Sequence, residues 1–239
     1  MLEGSQRAGR SIEGEHSARS SMPRLPFIRA DRRSGLRTVL VALSLGGTLL
    51  LTGAREATQS TSQLAAPDDF AGIVDRQARS RALFSEVSRV LLHPRCSNCH
   101  PSGDTPLQGV NGRPHDPPVV RGPDDHGVVG VRCTSCHQDQ NFELARVPGA
   151  PKWALAPIEM AWVGKSRREI CEQLKDPQRN GGRTLDAIAE HSAHDELVAW
   201  GWAPGAGREA APGSQQAFGE LVRAWIETGA ACPQEEDRP

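Results

Sequence analysis

Apolar residues recur at helical spacing in the stretch that precedes the first cysteine of the chain. They keep a three- to four-residue period from Phe70 to Leu91, as one face of an amphipathic helix requires. Asp68 or Asp69 can cap the start of this helix, and Pro94 ends it. The pattern therefore predicts a helix that leads directly into the segment around Cys96.

Two more helical segments are predicted in the C-terminal third, each from a cap. Ser166 and Glu169 have the spacing of a capping box, which opens a helix through Lys175. Residues 180–182, with two glycines, predict a turn. Thr184 then caps a helix, and a second segment follows it; their periodic positions are Leu185, Ile188, His191, Leu197, Val198 and Trp200.

The last predicted helix has the clearest apolar stripe of the chain. Ser214 caps it and Gly229 ends it. Its stripe has the i, i+3, i+4, i+7 spacing of a helix that buries one face, so it is expected to form core: Phe218, Leu221, Val222, Trp225 and Ile226.

The long stretches between these helices carry no period. Residues 101–132 are loaded with Gly, Pro and Asp, and residues 141–157 are again irregular, with Trp153 as a packing residue. We therefore predict a mainly α fold with long irregular Gly/Pro-rich loops, in one domain over residues 68–233. Residues 55–67 are expected to be a linker and residues 234–239 a disordered tail.

The N-terminal region has the pattern of an export signal. Basic residues (Arg32, Arg33, Arg37) precede the apolar run 39–51, and small residues follow it. The run is short for a membrane-spanning helix, which needs about 20 residues. Residues 1–54 are therefore predicted to be an export signal for the periplasm, with an uncleaved anchor as the alternative.

Composition limits what the domain can be. The 239 residues carry a formal net charge of -1, so a strongly charged partner such as nucleic acid is not implied. Hydrophobic residues make up 37% of the chain, while glycine and proline number 24 and 18. The chain therefore has few apolar side chains with which to form a core, and a large apolar cofactor would add apolar surface that can be buried.

Two Cys-x-x-Cys-His pentads carry the chemistry of the chain, at residues 96–100 and 133–137. Each is a c-type haem attachment signature, in which two thiols bond the porphyrin and the histidine ligates its iron. The prediction is two covalently attached haems, held by Cys96, Cys99, His100, Cys133, Cys136 and His137. No internal repeat is visible beyond the pentads, which sit in dissimilar sequence contexts.

A four-thiolate zinc site is the alternative reading of the same four cysteines. The gap between the two pairs is Gly/Pro-rich and longer than in most zinc ribbons. A zinc ribbon also has no need of a histidine directly after both second cysteines, so the pattern favours haem. A thioredoxin-like role is disfavoured because no strand–CxxC–helix setting is visible.

The second axial ligand of each iron decides its chemistry, because an axial methionine raises the potential and a vacant position admits substrate. We favour His194 and His115, then Met160 and His93. His191 lies on the same helical face as His194, so one of the two could bind iron and the other a haem propionate. His126 is interpreted as part of a surface turn.

Two other sets of residues have open alternatives. Cys171 and Cys232 are expected to pair as a disulfide in an oxidising compartment, or else to remain buried free thiols. Four arginines flank the pentads and are expected either to bind haem propionates or to form a solvated basic loop: Arg95, Arg113, Arg121 and Arg132.

Three runs of the chain form a recognisable set: residues 93–104 (HPRCSNCHPSGD), 160–162 (MAW) and 174–183 (LKDPQRNGGR). In these runs, and over about residues 70–233, the chain resembles a group of small exported bacterial di-haem c-type cytochromes that are labelled isoquinoline 1-oxidoreductase subunits. The resemblance implies a cytochrome c-like di-haem domain that accepts electrons from a molybdenum hydroxylase. The chain has no molybdopterin, flavin or iron–sulfur motif of its own, so catalysis would lie in the partner.

The leading functional prediction is a periplasmic di-haem cytochrome that passes single electrons between a donor dehydrogenase and a downstream acceptor. It would be an electron-transfer protein or subunit rather than a self-contained enzyme. A di-haem peroxidase is the second hypothesis, with His115 or Glu159 as acid–base residue, although the chain is short for such enzymes. A structural zinc module that binds a partner is the third.

Overall fold

The structure, a computed structural model, describes residues 63–234, which are mainly helical. The α-helices are α1 (Arg76–Leu91), α2 (Pro94–Ser97), α3 (Arg167–Lys175), α4 (Leu185–His194), α5 (Glu196–Ala199) and α6 (Gln215–Glu227). The predicted export signal, residues 55–62 of the predicted linker and residues 235–239 of the predicted tail lie outside the described residues. Among the residues described, no helix is long and apolar enough to cross a membrane.

The first helix begins later than the sequence predicts. Pro67–Phe70 form a short 3₁₀ helix, and α1 starts only at Arg76. The cap is Asp75, whose side chain accepts a hydrogen bond from the backbone N–H of Ala78 at 2.6 Å. The prediction of a cap at Asp68 or Asp69 is wrong for α1, because a better-placed Asx cap follows the break at Gly72.

The C-terminal helices begin where their caps predict. Ser166 and Glu169 form the reciprocal capping box of α3, while Thr184 caps α4 and Ser214 caps α6. The backbone after α6 turns at Gly229 with a φ of 109°, a left-handed value that glycine adopts without strain. These predictions are confirmed because each depends only on residues within one turn of the helix end.

The core forms where α1 and α4 pack against α6. The rings of Phe84 in α1 and Trp225 in α6 lie 4.9 Å apart between centroids. The predicted stripe of α6 is buried at Phe218, Leu221, Val222 and Trp225. A disulfide joins Cys171 of α3 to Cys232 beyond α6, with their Cα atoms 5.6 Å apart. The sequence analysis predicts this pair.

The loop between the pentads contains two small hairpins that the sequence analysis did not predict. β1 (Leu107–Gln108) pairs with β2 (Arg113–Pro114), and β3 (Gly127–Val128) pairs with β4 (Val131–Arg132), both antiparallel. Each strand is two residues long, which is too short to give a recognisable alternating pattern.

The buried guanidinium of Arg121 holds the rest of this loop. It donates to the carbonyl oxygens of Ala156 and Gly103 and pairs with the carboxylate of Asp125 at 2.5 Å. Arg121 thus fastens the loop between the pentads to the segment that follows the second pentad.

Candidate functional site

The first pentad lies at the end of α2, which directly follows α1. His93 caps α2, and its Nδ1 accepts a hydrogen bond from the backbone N–H of Arg95 at 3.2 Å. The backbone then turns so that Cys96, Cys99 and His100 all line one cavity of about 320 Å³. The turn therefore brings both thiols and the imidazole of the first pentad to one space.

The ring of His100 is held by two contacts. Its Nδ1 lies 2.7 Å from the carbonyl oxygen of Met160, which can only accept, so Nδ1 carries the proton and Nε2 keeps its lone pair. The ring stacks on Trp162 with 3.4 Å between centroids and 4° between planes. Burial lowers the pKa of His100 to about 3, so the ring is neutral and able to ligate a metal.

The second pentad repeats this arrangement. Nδ1 of His137 donates to the carbonyl oxygen of Pro148 at 2.8 Å. The ring stacks on Trp153 with 4.5 Å between centroids and 8° between planes. Burial also lowers the pKa of His137. The two pentads sit in dissimilar sequence contexts, yet each histidine has one carbonyl behind it and one tryptophan beside it.

The cavity at the first pentad has mostly apolar walls. Helices α1, α3, α4 and α6 supply Val87, Leu91, Leu174, Ile188, Phe218 and Val222. Its volume falls within the range of pockets that hold small ligands and cofactors, about 300–1,000 Å³. Such walls suit a large, flat and mostly apolar group.

The polar atoms around this cavity also suit a haem. Nε1 of Trp162 is buried and has no hydrogen-bond partner among residues 63–234. Arg95, which is buried, and Arg183 both line the cavity. A carboxylate on the bound group would give these donors an acceptor. The residues present therefore fit a porphyrin with its propionates.

The two thiols of the first pentad are protonated when nothing is bound to them. Burial raises the pKa of Cys96 to about 12 and that of Cys99 to about 11. Among residues 63–234, no group of three or more His, Cys, Asp or Glu side chains is arranged to hold a metal ion.

His115 is the predicted axial ligand that the structure places beside a pentad. Its ring centroid lies 5.9 Å from that of His137, with 70° between the planes. Its Nδ1 is 2.8 Å from the carbonyl oxygen of Pro117, so Nδ1 donates and Nε2 stays available.

The other three predicted axial ligands are placed less favourably. His194 is 66% exposed, lies 3.9 Å from Glu190 and is not among the residues that line the cavity. His93 caps α2, the alternative role that the sequence left open. Met160 is buried and lines the cavity, but its carbonyl oxygen accepts the hydrogen bond from Nδ1 of His100, on the side of the ring away from Nε2.

Two further histidines line the cavity at the first pentad. His191 points into it from α4, and its Nδ1 lies 3.2 Å from a carboxylate oxygen of Asp195. His126 also lines it, from a turn as the sequence predicts, and its Nδ1 contacts the carbonyl oxygen of Asp124 at 2.5 Å.

The arginines expected near the pentads divide between different environments. Arg95 lines the cavity, and its Nε donates to the carbonyl oxygen of Glu209 at 2.5 Å. Arg121 pairs with Asp125 within the loop between the pentads, and Arg132 pairs with Asp124 at 2.8 Å. Arg113 is exposed. Only Arg95 of the four is placed to bind a propionate in this cavity.

An aromatic connection between the two pentads was not predicted. Trp153, which stacks on His137, meets Trp200 edge-to-face with 5.0 Å between centroids. Trp200 lines the cavity at the first pentad, and its Nε1 donates to Asn141 at 2.9 Å. No sequence signal marks this contact, because the two tryptophans are far apart along the chain.

Comparisons with models of protein families, with curated proteins and with solved structures found no match to this chain.

Proposed function

We propose that this protein is a periplasmic di-haem c-type cytochrome that carries single electrons. One observation carries the proposal: each pentad presents two thiols beside a neutral histidine whose Nδ1 is fixed by a carbonyl and whose ring is fixed by a tryptophan. Fixing Nδ1 in this way orients the ring and leaves Nε2 for a metal, as is usual for metal-binding histidines.

The residues that would hold the two groups are those of the pentads. Cys96, Cys99 and His100 would hold the first, and Cys133, Cys136 and His137 the second. When bound, haem supplies one-electron chemistry at its iron. The walls of the first cavity are mostly apolar, while Arg95 and Arg183 supply positive charge there.

The second pentad is the more open of the two. Cys136 is exposed, and the neighbouring hairpin and loop present apolar side chains to solvent, with Val129 97% and Leu144 92% exposed. Exposed apolar residues around a redox site suit brief docking by a partner protein. We propose that electrons pass between this protein and its redox partners at the second pentad.

The compartment and the donor are proposed from sequence. The export pattern of residues 1–54 supports a periplasmic location, and the disulfide between Cys171 and Cys232 suits an oxidising compartment. The resemblance stated above makes a molybdenum hydroxylase the proposed electron donor. If the apolar run at residues 39–51 is not cleaved, it would anchor the same cytochrome to the membrane.

A di-haem peroxidase is less well supported. Glu159 is exposed and is not among the residues that line the cavity, so it is poorly placed for acid–base catalysis there. His115 lies beside His137, where it would occupy the position that peroxide needs.

Spectroelectrochemical titration of the exported, mature protein tests the proposed function. We expect two reversible one-electron steps per chain and rapid oxidation by a soluble one-electron acceptor. Hydrogen peroxide should produce no sustained turnover with a reducing substrate. Steady peroxide turnover, or the absence of any reversible one-electron step, would contradict the proposal.

A further inference from the structure

We infer that both irons are ligated by pairs of histidines, His100 with His191 at the first pentad and His137 with His115 at the second. This inference deepens the proposed di-haem function and rests on it. It differs from the sequence-based order of candidates, in which His194 and Met160 stood ahead of His191.

His191 is oriented as a metal ligand is. Its Nδ1 lies 3.2 Å from Oδ2 of Asp195, one turn later on the chain. The other oxygen of Asp195 caps α5 by accepting from the backbone N–H groups of Leu197 and Val198 at 2.9 and 3.1 Å. Asp195 is thereby fixed by the backbone and in turn fixes the imidazole, leaving Nε2 as the free nitrogen.

His191 and His100 line the same cavity from different elements. His100 follows α2, whereas His191 projects from α4, which packs on α6. Both rings therefore line one cavity, and in each ring Nδ1 already contacts an oxygen atom of the protein.

Met160 is not suited to be the second ligand at this site. Its carbonyl oxygen is 2.7 Å from Nδ1 of His100, the ring nitrogen that points away from the ligating Nε2. The backbone of Met160 therefore lies behind the proximal histidine. A second ligand would approach from the side of Nε2, the side on which His191 lines the cavity.

The spacing of His115 and His137 agrees with shared ligation. Two imidazoles that bind one metal ion from opposite sides, each through a bond of about 2 Å, have ring centroids roughly 6 Å apart. The observed separation is 5.9 Å. The 70° between the planes is compatible with this arrangement, since rotation about a metal–nitrogen bond leaves the centroids in place.

The test is the spin state of the ferric irons in the full exported protein. We expect two low-spin irons in the unaltered protein by low-temperature electron paramagnetic resonance and near-infrared magnetic circular dichroism. His191→Ala should turn one of the two irons high-spin, and added imidazole should restore the low-spin signal. His115→Ala should do the same to the other iron.

Two variants serve as controls. His194→Ala removes a histidine of the same helix that does not line the cavity, and His126→Ala removes the other cavity histidine; each should leave both irons low-spin. A His191→Ala protein with both irons still low-spin, or a His126→Ala protein with one high-spin iron, would overturn the assignment.

A second variant covers the case in which His191→Ala fails to fold. His191→Met keeps the bulk and offers sulfur, so one of the two potentials should rise and a sulfur-to-iron absorption band should appear. An unchanged potential and spectrum would refute ligation by His191. Every protein is first assayed for covalent haem, and an unaltered protein without haem would refute the proposed function rather than the ligand assignment.

Discussion

At the scale of single residues, the site depends on how backbone carbonyls fix imidazole rings. The carbonyl oxygens of Met160 and Pro148 set the proton of His100 and His137 on Nδ1. The stacked tryptophans then limit rotation of each ring. Small displacements of these carbonyls should therefore alter the orientation of both rings and of any group bound to them.

Gly149→Ala tests this dependence at the second pentad. A Cβ at this position would collide with the backbone carbonyl groups of Gln138 and Gln140. Because Pro148 precedes it, the backbone shift should move the carbonyl that holds His137. We expect a loss of about 1–3 kcal/mol in the free energy of unfolding, measured by denaturant titration, and an altered spectrum for one haem.

Gly103→Ala is the matched control for Gly149→Ala. A Cβ at Gly103 meets no atom within 4 Å, so both the stability and the spectrum should stay as in the unaltered protein. Equal effects of the two substitutions would refute the role given to Gly149.

Trp162→Phe tests the buried indole nitrogen. Phenylalanine keeps a ring against His100 but removes Nε1, the donor that lacks a partner among the described residues. If Nε1 donates to a propionate, the mature protein should lose about 2 kcal/mol of stability and one haem potential should shift.

Trp202→Phe is the comparison for Trp162→Phe. Its Nε1 donates to the carbonyl oxygen of Pro212 at 2.9 Å, and Trp202 is not among the residues that line the cavity. This variant should lose stability without any change in potential. A Trp162→Phe protein with unaltered potentials would argue against the propionate contact.

At the scale of elements, the close approach of α4 and α6 positions His191. A Cβ at Gly219 of α6 would lie 2.5 Å from Cβ and 2.8 Å from Cα of Ala193 in α4. The small residues at this crossing let the two helices approach closely, which sets the side of α4 that faces the cavity. Helix packing, rather than local sequence, therefore decides which histidine of α4 faces the cavity at the first pentad.

Gly219→Ala should force α4 away from α6. We expect a loss of about 1–3 kcal/mol in the free energy of unfolding, because the atoms it meets include backbone. Arg223→Ala, on the exposed side of α6, should change stability by less than about 0.5 kcal/mol. Chemical denaturation of both variants, read by circular dichroism, distinguishes the two expectations.

The sequence predicts helix ends in this protein better than it predicts the orientation of side chains. Ser166, Thr184 and Ser214 act on the next turn of the chain, so their caps are visible without any tertiary information. His191 and His194 are three residues apart on one predicted face, and only the packing of α4 separates them. The stacking of Trp153 and Trp162 on the pentad histidines likewise depends on contacts between distant segments.

At the scale of the whole molecule, residues 63–234 join a small helical core to long loops whose regular structure is limited to short hairpins and 3₁₀ turns. The disulfide between Cys171 and Cys232 ties α3 to the segment after α6 across a sequence separation of 61 residues. The loops around the second pentad gain order from hydrogen bonds such as those of Arg121 rather than from a core of their own. A bound group at each pentad would supply the apolar contacts that these loops lack.

Removal of the disulfide should destabilise the protein without removing its chemistry. Cys171→Ser with Cys232→Ser is expected to lower the free energy of unfolding by about 4 kcal/mol, as chain entropy predicts for a loop of this length. The covalent haem content should equal that of the unaltered protein, for which we propose two per chain, because neither cysteine belongs to a pentad. Thermal denaturation and haem content measured on the same preparation check both parts.

The most direct test of the central claim is a count of covalently bound haem in the exported protein, made in a host that matures c-type cytochromes. Pyridine haemochrome absorbance and intact mass should both give two haems per chain. The count should fall to one when Cys96 and Cys99, or Cys133 and Cys136, are replaced by serine. A chain that carries no haem, or that carries zinc instead, would contradict the account.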